Sequence, residues 1–301
     1  MFKMVSFKKI LSAAAIGVGL LNCQVNEGIN RPDYGDDVRA LYVPNNIVYE
    51  GSNKLETILD NTKLTEINGL VLDVQPWKGY LNTLLDSCHA SDIYTIARIH
   101  TFHNNKQVAD SSVWKNRVNL AKKAAENGFD EVQFDYIRYR DSGKRSVEKN
   151  NTINSFLNYV NEELKDYDIK ISADIFGRIP FTGLLDRTGQ SITGMDDYAD
   201  VICPMLYHSH FYGNQRFMDN PDITVKEGVK KSLKIVDEDT KIRPWIQGFG
   251  MGVKDEDYNG DYMLKQINGA YDGGVDGYVI WNIHGNYDIL WEGLGVENGT
   301  D

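Results

Sequence analysis

Short apolar runs rich in β-branched and aromatic residues recur along the chain. They predict strands at Val38–Val43, Gly69–Val74, Tyr94–Ile99, Val132–Ile137, Lys170–Phe176, Val201–Tyr207, Ile242–Gln247 and Gly277–Trp281. Between them the period changes from two to about 3.6. Residues 52–66 place Leu55, Ile58 and Leu59 on one face behind Ser52 as N-cap, and residues 112–127 stop at Gly128, a residue suited to the left-handed position after a helix. Residues 147–166 carry Ile153, Phe156, Leu157, Val160 and Leu164 at helical spacing, and residues 223–237 and 261–272 repeat the pattern. Residues 76–91 predict at most a short helix. Residues 177–200 read as a long loop with a short helix. Eight strand–helix units in a chain of this length predict parallel strands joined by right-handed crossovers, closed into a single (β/α)₈ barrel. The open doubly wound sheet loses support because no G-x-G-x-x-G follows the first strand and no G-x-x-x-x-G-K-[ST] occurs.

The strand period then sorts side chains by face. Asp73 and Gln75, Arg98 and His100, Gln133 and Asp135, Ser172 and Asp174, Met205 and Tyr207, Trp245 and Gln247, and Val279 and Trp281 all fall on the face that would point into the barrel, near the C-terminal strand ends. Barrel enzymes build their sites there. Asp135 is the most telling, a carboxylate ending an apolar run and followed closely by Arg138. An acid in such surroundings needs a partner or a task, because desolvating it costs several kcal/mol. Asp73, Asp135 and Asp174 converging on one mouth suit acid–base work on a glycosidic bond, where one carboxyl protonates the leaving oxygen and another attacks or activates water. Arg98 and Arg138 would tune charge, and Tyr207, His208, Gln247 and Trp281 would hold a sugar. Core packing is the competing reading for the tryptophans, Trp245 above all. His208 and His210 have H-x-H spacing, which can serve zinc, but neither a metal nor any other cofactor is expected. His100, His103 and His284 also follow strands. No G-x-S-x-G is present to support a serine hydrolase.

Composition and charge narrow the setting. With 42% hydrophobic and 25% charged residues in 301, the chain has the makeup of an ordinary globule with a sizeable core. Its net charge of −11 argues against nucleic acid. Lys3, Lys8 and Lys9 precede an uncharged apolar stretch from Ile10 to Leu21, too short to span a bilayer comfortably. Residues 1–22 therefore read as an export signal. Leu20-Leu21-Asn22-Cys23 resembles a lipobox, so lipidation at Cys23 would anchor a surface or periplasmic protein, with plain secretion as the alternative. Residues 23–37 read as a polar linker and 38–301 as one domain, expected to be a monomer. Cys88 and Cys203 are expected to be unpaired.

Five segments carry a resemblance: G-L-V-L-D-V (69–74), I-Y-T-I-A-R-I (93–99), G-F-D-E-V-Q-F-D-Y-I-R-Y (128–139), A-D-I-F-G (173–177) and A-D-V-I-C-P-M-L-Y-H-S-H (199–210). I-R-P-W-I-Q-G-F (242–249) and D-G-Y-V-I-W-N (276–282) continue it. The chain from about residue 38 to 290 is similar to a family of bacterial glycoside hydrolases with an α-amylase-like barrel, long catalogued as a domain of unknown function. The resemblance implies a TIM barrel with a carbohydrate-active site, Asp135 as nucleophile and Asp174 as acid/base. Such barrels usually place a glutamate where Asp174 stands, and a proline where Arg140 stands. The third strand leads into Ile99-His100-Thr101-Phe102-His103-Asn104 instead of a hydrophobic-aromatic-Lys-Asp run, and the 100–112 connection is short. The leading expectation is a glycosidase acting on extracellular or envelope polysaccharide. A non-catalytic carbohydrate-binding barrel and a metal-dependent polysaccharide deacetylase are the rivals.

Overall fold

A computed structural model describes residues 37–50, 53–182 and 185–296. The export signal, Cys23, nearly all of the linker and the Ser52 cap lie outside the described residues. The strands are β1 (Arg39–Val43), β2 (Gly69–Asp73), β3 (Tyr94–His100), β4 (Glu131–Asp135), β5 (Lys170–Phe176), β6 (Val201–Met205), β7 (Lys241–Ile242), β8 (Trp245–Gln247) and β9 (Tyr278–Trp281). All pair in parallel, and β1 pairs with both β2 and β9, so the sheet closes. Segments β7 and β8 are two pieces of one barrel strand, which makes eight staves. Pro244 separates them because it has no N–H to give to the ladder.

Inside and outside follow the period of two. Ala40, Tyr42, Val71, Ile96, Val201, Cys203, Trp245 and Val279 form an apolar cluster of their own in the lumen. Leu41, Leu70, Leu72, Ala97, Ile99, Phe134 and Ile280 point outward into the larger core beneath the helices. Each such side chain, fully buried, is worth about 1.5–3 kcal/mol, so sliding a strand by one residue would forfeit a whole face at once. At one end of the lumen Arg243 pairs with Glu131 through Nη1 at 2.9–3.0 Å, and the Tyr94 hydroxyl donates to the same carboxylate.

The helices Ser111–Glu126, Val147–Leu164, Pro221–Leu233 and Gly260–Gly273 fall where periodicity predicts them. After the first of these Gly128 takes φ of 87°, the left-handed value its position requires. Three local expectations need correction. Residues 76–91 hold a helix of 11 residues, Tyr80–Ala90, with Leu81, Leu84, Leu85 and Cys88 buried at helical spacing. A separate helix, Asn45–Glu50, precedes Asn53–Thr62. The irregular stretch after β5 contains two single-turn helices, Ile179–Thr182 and Ile192–Met195. Cys88 and Cys203 are buried free thiols. No helix among the described residues is long and apolar enough to cross a membrane.

Candidate active site

The fourth strand ends at Asp135 because the next residue leaves the β region. Tyr136 has φ of 55°, an uncommon left-handed conformation for a bulky side chain. This turns its amide back onto the preceding side chain, and the Tyr136 N–H donates to Asp135 Oδ1 at 2.6 Å. The other oxygen, Oδ2, receives Arg98 Nη2 at 2.5 Å and Nε at 3.2 Å. Arg98 comes from the neighbouring β3, and its remaining arm, Nη1, reaches Asp73 Oδ1 on β2 at 2.5 Å. Tyr42 on β1 donates its hydroxyl to Asp73 Oδ2 at 2.7 Å. One guanidinium thus bridges two carboxylates across three adjacent strands. Its flat face lies 5.0 Å from the Trp281 ring and 5.4 Å from the Tyr42 ring, which stack on each other. Burial raises the proton affinity of the Tyr42 hydroxyl, and the charge of Asp73 raises it further.

Asp174, on β5, has a different environment. Its side chain is 1% exposed, and its one charge-neutral partner is the indole N–H of Trp245, which donates to Oδ1 at 2.7 Å. Burial holds its proton affinity well above the ordinary carboxylate range, and the negative charge of Asp135 adds to this, against the opposing pull of the Trp245 hydrogen bond. Because Oδ1 accepts from the indole, Oδ2 is the oxygen left to carry a proton. The neighbouring Tyr207 hydroxyl likewise holds its proton tightly, through burial first and the charge of Asp174 second.

Arg98, Asp135, Asp174, Tyr207 and Trp245 line a cleft of about 450 Å³ at the C-terminal strand ends. Of the residues expected from sequence, Arg98, Asp135, Arg138, Asp174, Tyr207 and Trp281 line it. Asp73 does not line it and reaches the site through its ion pair with Arg98. His208 and Gln247, expected from sequence to hold a sugar, do not line it, and their side chains bond to other parts of the fold. His208 lies in a 3₁₀ turn, His208–His210, with Nδ1 at 2.8 Å from the Met218 carbonyl and Nε2 at 3.1 Å from the Tyr262 hydroxyl. Gln247 accepts from the Ser209 hydroxyl and donates to the carbonyls of Phe249 and Met251, so it ties loops together. His210 does line the cleft, packed on Tyr207, so the two histidines of H-x-H face different places. Among the described residues no group of three or more His, Cys, Asp or Glu is placed to hold a metal.

Periodicity missed Tyr136, Asp141, Phe176, Arg178, Phe211 and Tyr212, which also line the cleft. Phe176 shares the parity of Asp174 and was legible on that ground. Asp141, Arg178 and Tyr212 lie on loops, where no period operates. Trp245, read from sequence as core, is both core and site: it is buried and its indole orients Asp174. Gly177 belongs here too, since a Cβ would come within 2.1 Å of the Met205 carbonyl oxygen, so the wall between β5 and β6 is bare backbone. His100 is half-buried, stacked on Tyr136 at 4.0 Å and His103 at 4.2 Å. Burial, and then the nearby charge of His103, lower its pKa to about 4, so it presents a neutral ring at neutral pH.

A closed parallel barrel with paired carboxylates in a cleft over its strand ends defines the class, a TIM barrel with an acid-lined mouth. Residues 106–287 match the family described as "Putative glycosyl hydrolase domain", more than half of the chain, and the chain belongs to that family. No curated protein matches it in sequence. Among solved structures it is similar in fold to the Bacillus megaterium spore cortex-lytic enzyme SleL, at 12% identity and TM-score 0.59, covering 86% of this chain and 73% of that one. A class V chitinase from Cycas revoluta gives 12% identity and TM-score 0.60, with 86% and 98% covered. The glycoside hydrolase domain of PgaB (BpsB) from Bordetella bronchiseptica gives 11% and 0.58, with 87% and 99% covered.

Proposed function

We propose that this protein is a glycoside hydrolase that cleaves an extracellular or cell-envelope polysaccharide, with Asp174 as the acid and Asp135 as the attacking or water-activating carboxylate. One observation carries the reading: two carboxyl groups on adjacent strand ends face one cleft from opposite electrostatic surroundings. Asp174 retains its proton through burial and the charge of Asp135. Asp135 instead receives two guanidinium N–H groups and a backbone N–H. Two carboxyl groups in such different surroundings can serve one site as acid and base together. The proton on Asp174 goes to the departing glycosidic oxygen while Asp135 or its activated water takes the anomeric carbon. Asp73 acts through Arg98 by fixing its orientation. Trp281 offers its ring to the C–H side of a sugar. The chitinase and the cortex-lytic enzyme that share the barrel act on polysaccharides by name, which supports the substrate class.

Incubating the purified protein with a panel of polysaccharides and assaying new reducing ends tests this. Asp174→Asn and Asp135→Asn should each lower kcat at least about 10²-fold, in line with the loss of acid–base catalysis, with circular dichroism unchanged. A variant that retains wild-type turnover removes that residue from its role. The near-complete burial of Asp174 favours one second reading, a carbohydrate-binding barrel without turnover. Binding by the wild type with no new reducing ends on any glycan would establish it.

The domain layout belongs to the same proposal: export signal 1–22, linker 23–37 and catalytic barrel 38–301, with lipid on Cys23 holding the barrel at the outer or periplasmic face of a membrane. Metabolic labelling with a fatty-acid analogue should mark the wild type and leave Cys23→Ala unlabelled. Equal labelling of both would reject that anchor.

A further inference from the structure

The cations of the mouth are balanced with one exception. Arg98 is matched by Asp73 and Asp135. Arg178 is matched by Asp141 and Asp186, and Arg187 by Asp141. Arg138 lines the same cleft and has no carboxylate within ion-pair distance among the described residues. Among the described residues its guanidinium makes one hydrogen bond, a long one from Nη1 to the Tyr139 carbonyl at 3.4 Å. A guanidinium has five N–H donors, so nearly all of this one's capacity is unspent. The chain has 43 acidic residues against 32 Lys and Arg, so the missing partner does not reflect a shortage of acids.

Arg138 is also held in place. Its guanidinium carbon lies 4.9 Å from the Tyr136 ring centroid and 4.7 Å from that of Phe176. On the far side Phe176 meets Arg178 at 4.6 Å, and Arg178 is itself forked onto Asp141 through two parallel N–H···O bonds of 2.8 and 3.0 Å. Two aromatic rings therefore pack against the Arg138 guanidinium and restrict it, while most of its donors remain for something in the cleft. A planar fork held this way suits an oxyanion, and little side-chain entropy remains to be lost on binding. Charge adjustment of the acid is a weaker explanation, since the charges acting most on Asp174 are those of Asp135, Arg98 and Glu131.

We infer that the cleft takes an acidic glycan, with Arg138 receiving an oxyanion carried by a sugar ring next to the cleaved bond, either a uronate carboxylate or a sulfate ester. This rests on the glycan-cleaving reading and names the substrate class within it.

The test measures binding separately from turnover. Titration calorimetry of wild type and Asp174→Asn would use oligogalacturonate, a uronate-containing glycosaminoglycan oligosaccharide, and the carboxyl-reduced and desulfated form of each that applies. An acidic oligosaccharide should bind at least tenfold more tightly than its neutralised counterpart, with the preference shrinking as salt rises. Loss on carboxyl reduction identifies the carboxylate, and loss on desulfation the sulfate. Arg138→Met, which keeps the stem between the two rings, should abolish the preference, and Arg138→Lys, which keeps charge without the fork, should restore part of it. Circular dichroism checks that both variants fold. Equal affinity for acidic and neutralised forms, failure to bind any acidic glycan, or an unaltered preference in Arg138→Met overturns the inference. Acid-selective binding without new reducing ends upholds it and removes only the hydrolytic reading.

Discussion

Asp174 concentrates the electrostatic argument in one side chain. A carboxyl whose folded pKa is raised contributes stability that is fully present below its unfolded pKa, about 3.9. That contribution is lost as pH rises through the raised folded value. The stability of the wild type relative to Asp174→Asn should therefore fall as pH climbs above about 4. Thermal unfolding of both proteins across that range measures it, and a constant difference would contradict a retained proton. The same titration should end activity on the alkaline side, because a deprotonated Asp174 has nothing to donate. His100, already neutral above about pH 4, should add nothing to that limb.

Strand ends, more than single residues, make the site. Arg98 ties β2, β3 and β4 together, and at 8% exposure it is an ion held away from water by its two partners. Removing one member of a buried charge cluster leaves the others unpaired, at a cost of about 3–5 kcal/mol. Arg98→Met should show a loss of that order in urea unfolding; a loss below about 1 kcal/mol would mean water already screens the pair. At this scale much was legible in advance, and the reason is geometric. As long as the chain stays extended, side chains alternate strictly, and Asp73, Arg98, Asp135 and Asp174 could be placed on one face without coordinates. The rule fails at and just beyond the strand ends, where loop geometry takes over. Tyr136 turns left-handed, His208 enters a 3₁₀ turn, and Gln247 bonds to the loop that follows it. Periodicity also under-read Tyr80–Ala90, because Pro76, Trp77 and Gly79 obscure where its pattern begins.

Across the whole barrel the polar interior is divided between two ends. The site occupies one, and the Glu131–Arg243 pair, 0% and 4% exposed, occupies the other. Hydrophobic pattern could not reveal that pair, whose members are 112 residues apart in sequence and meet only when the sheet closes. Single substitution Glu131→Met should cost about 3–5 kcal/mol by stranding a buried guanidinium, while Glu131→Met with Arg243→Met should recover most of that loss. Urea unfolding of the two variants checks it; equal losses would mean the pair contributes by shape rather than charge. Glu131 acts on the far mouth through the lumen, since its charge is among those that raise the proton affinity of Asp174.

The hydrogen bond from Trp245 to Asp174 has a spectroscopic consequence. An indole excited state is sensitive to whether an adjoining carboxyl carries a proton, and this indole is sealed from solvent with its N–H directed at one titrating oxygen. The fold therefore contains its own optical indicator. Emission from Trp245 should shift as Asp174 ionises, a change seen in the difference between the wild type and Asp174→Asn across pH without substrate, label or turnover.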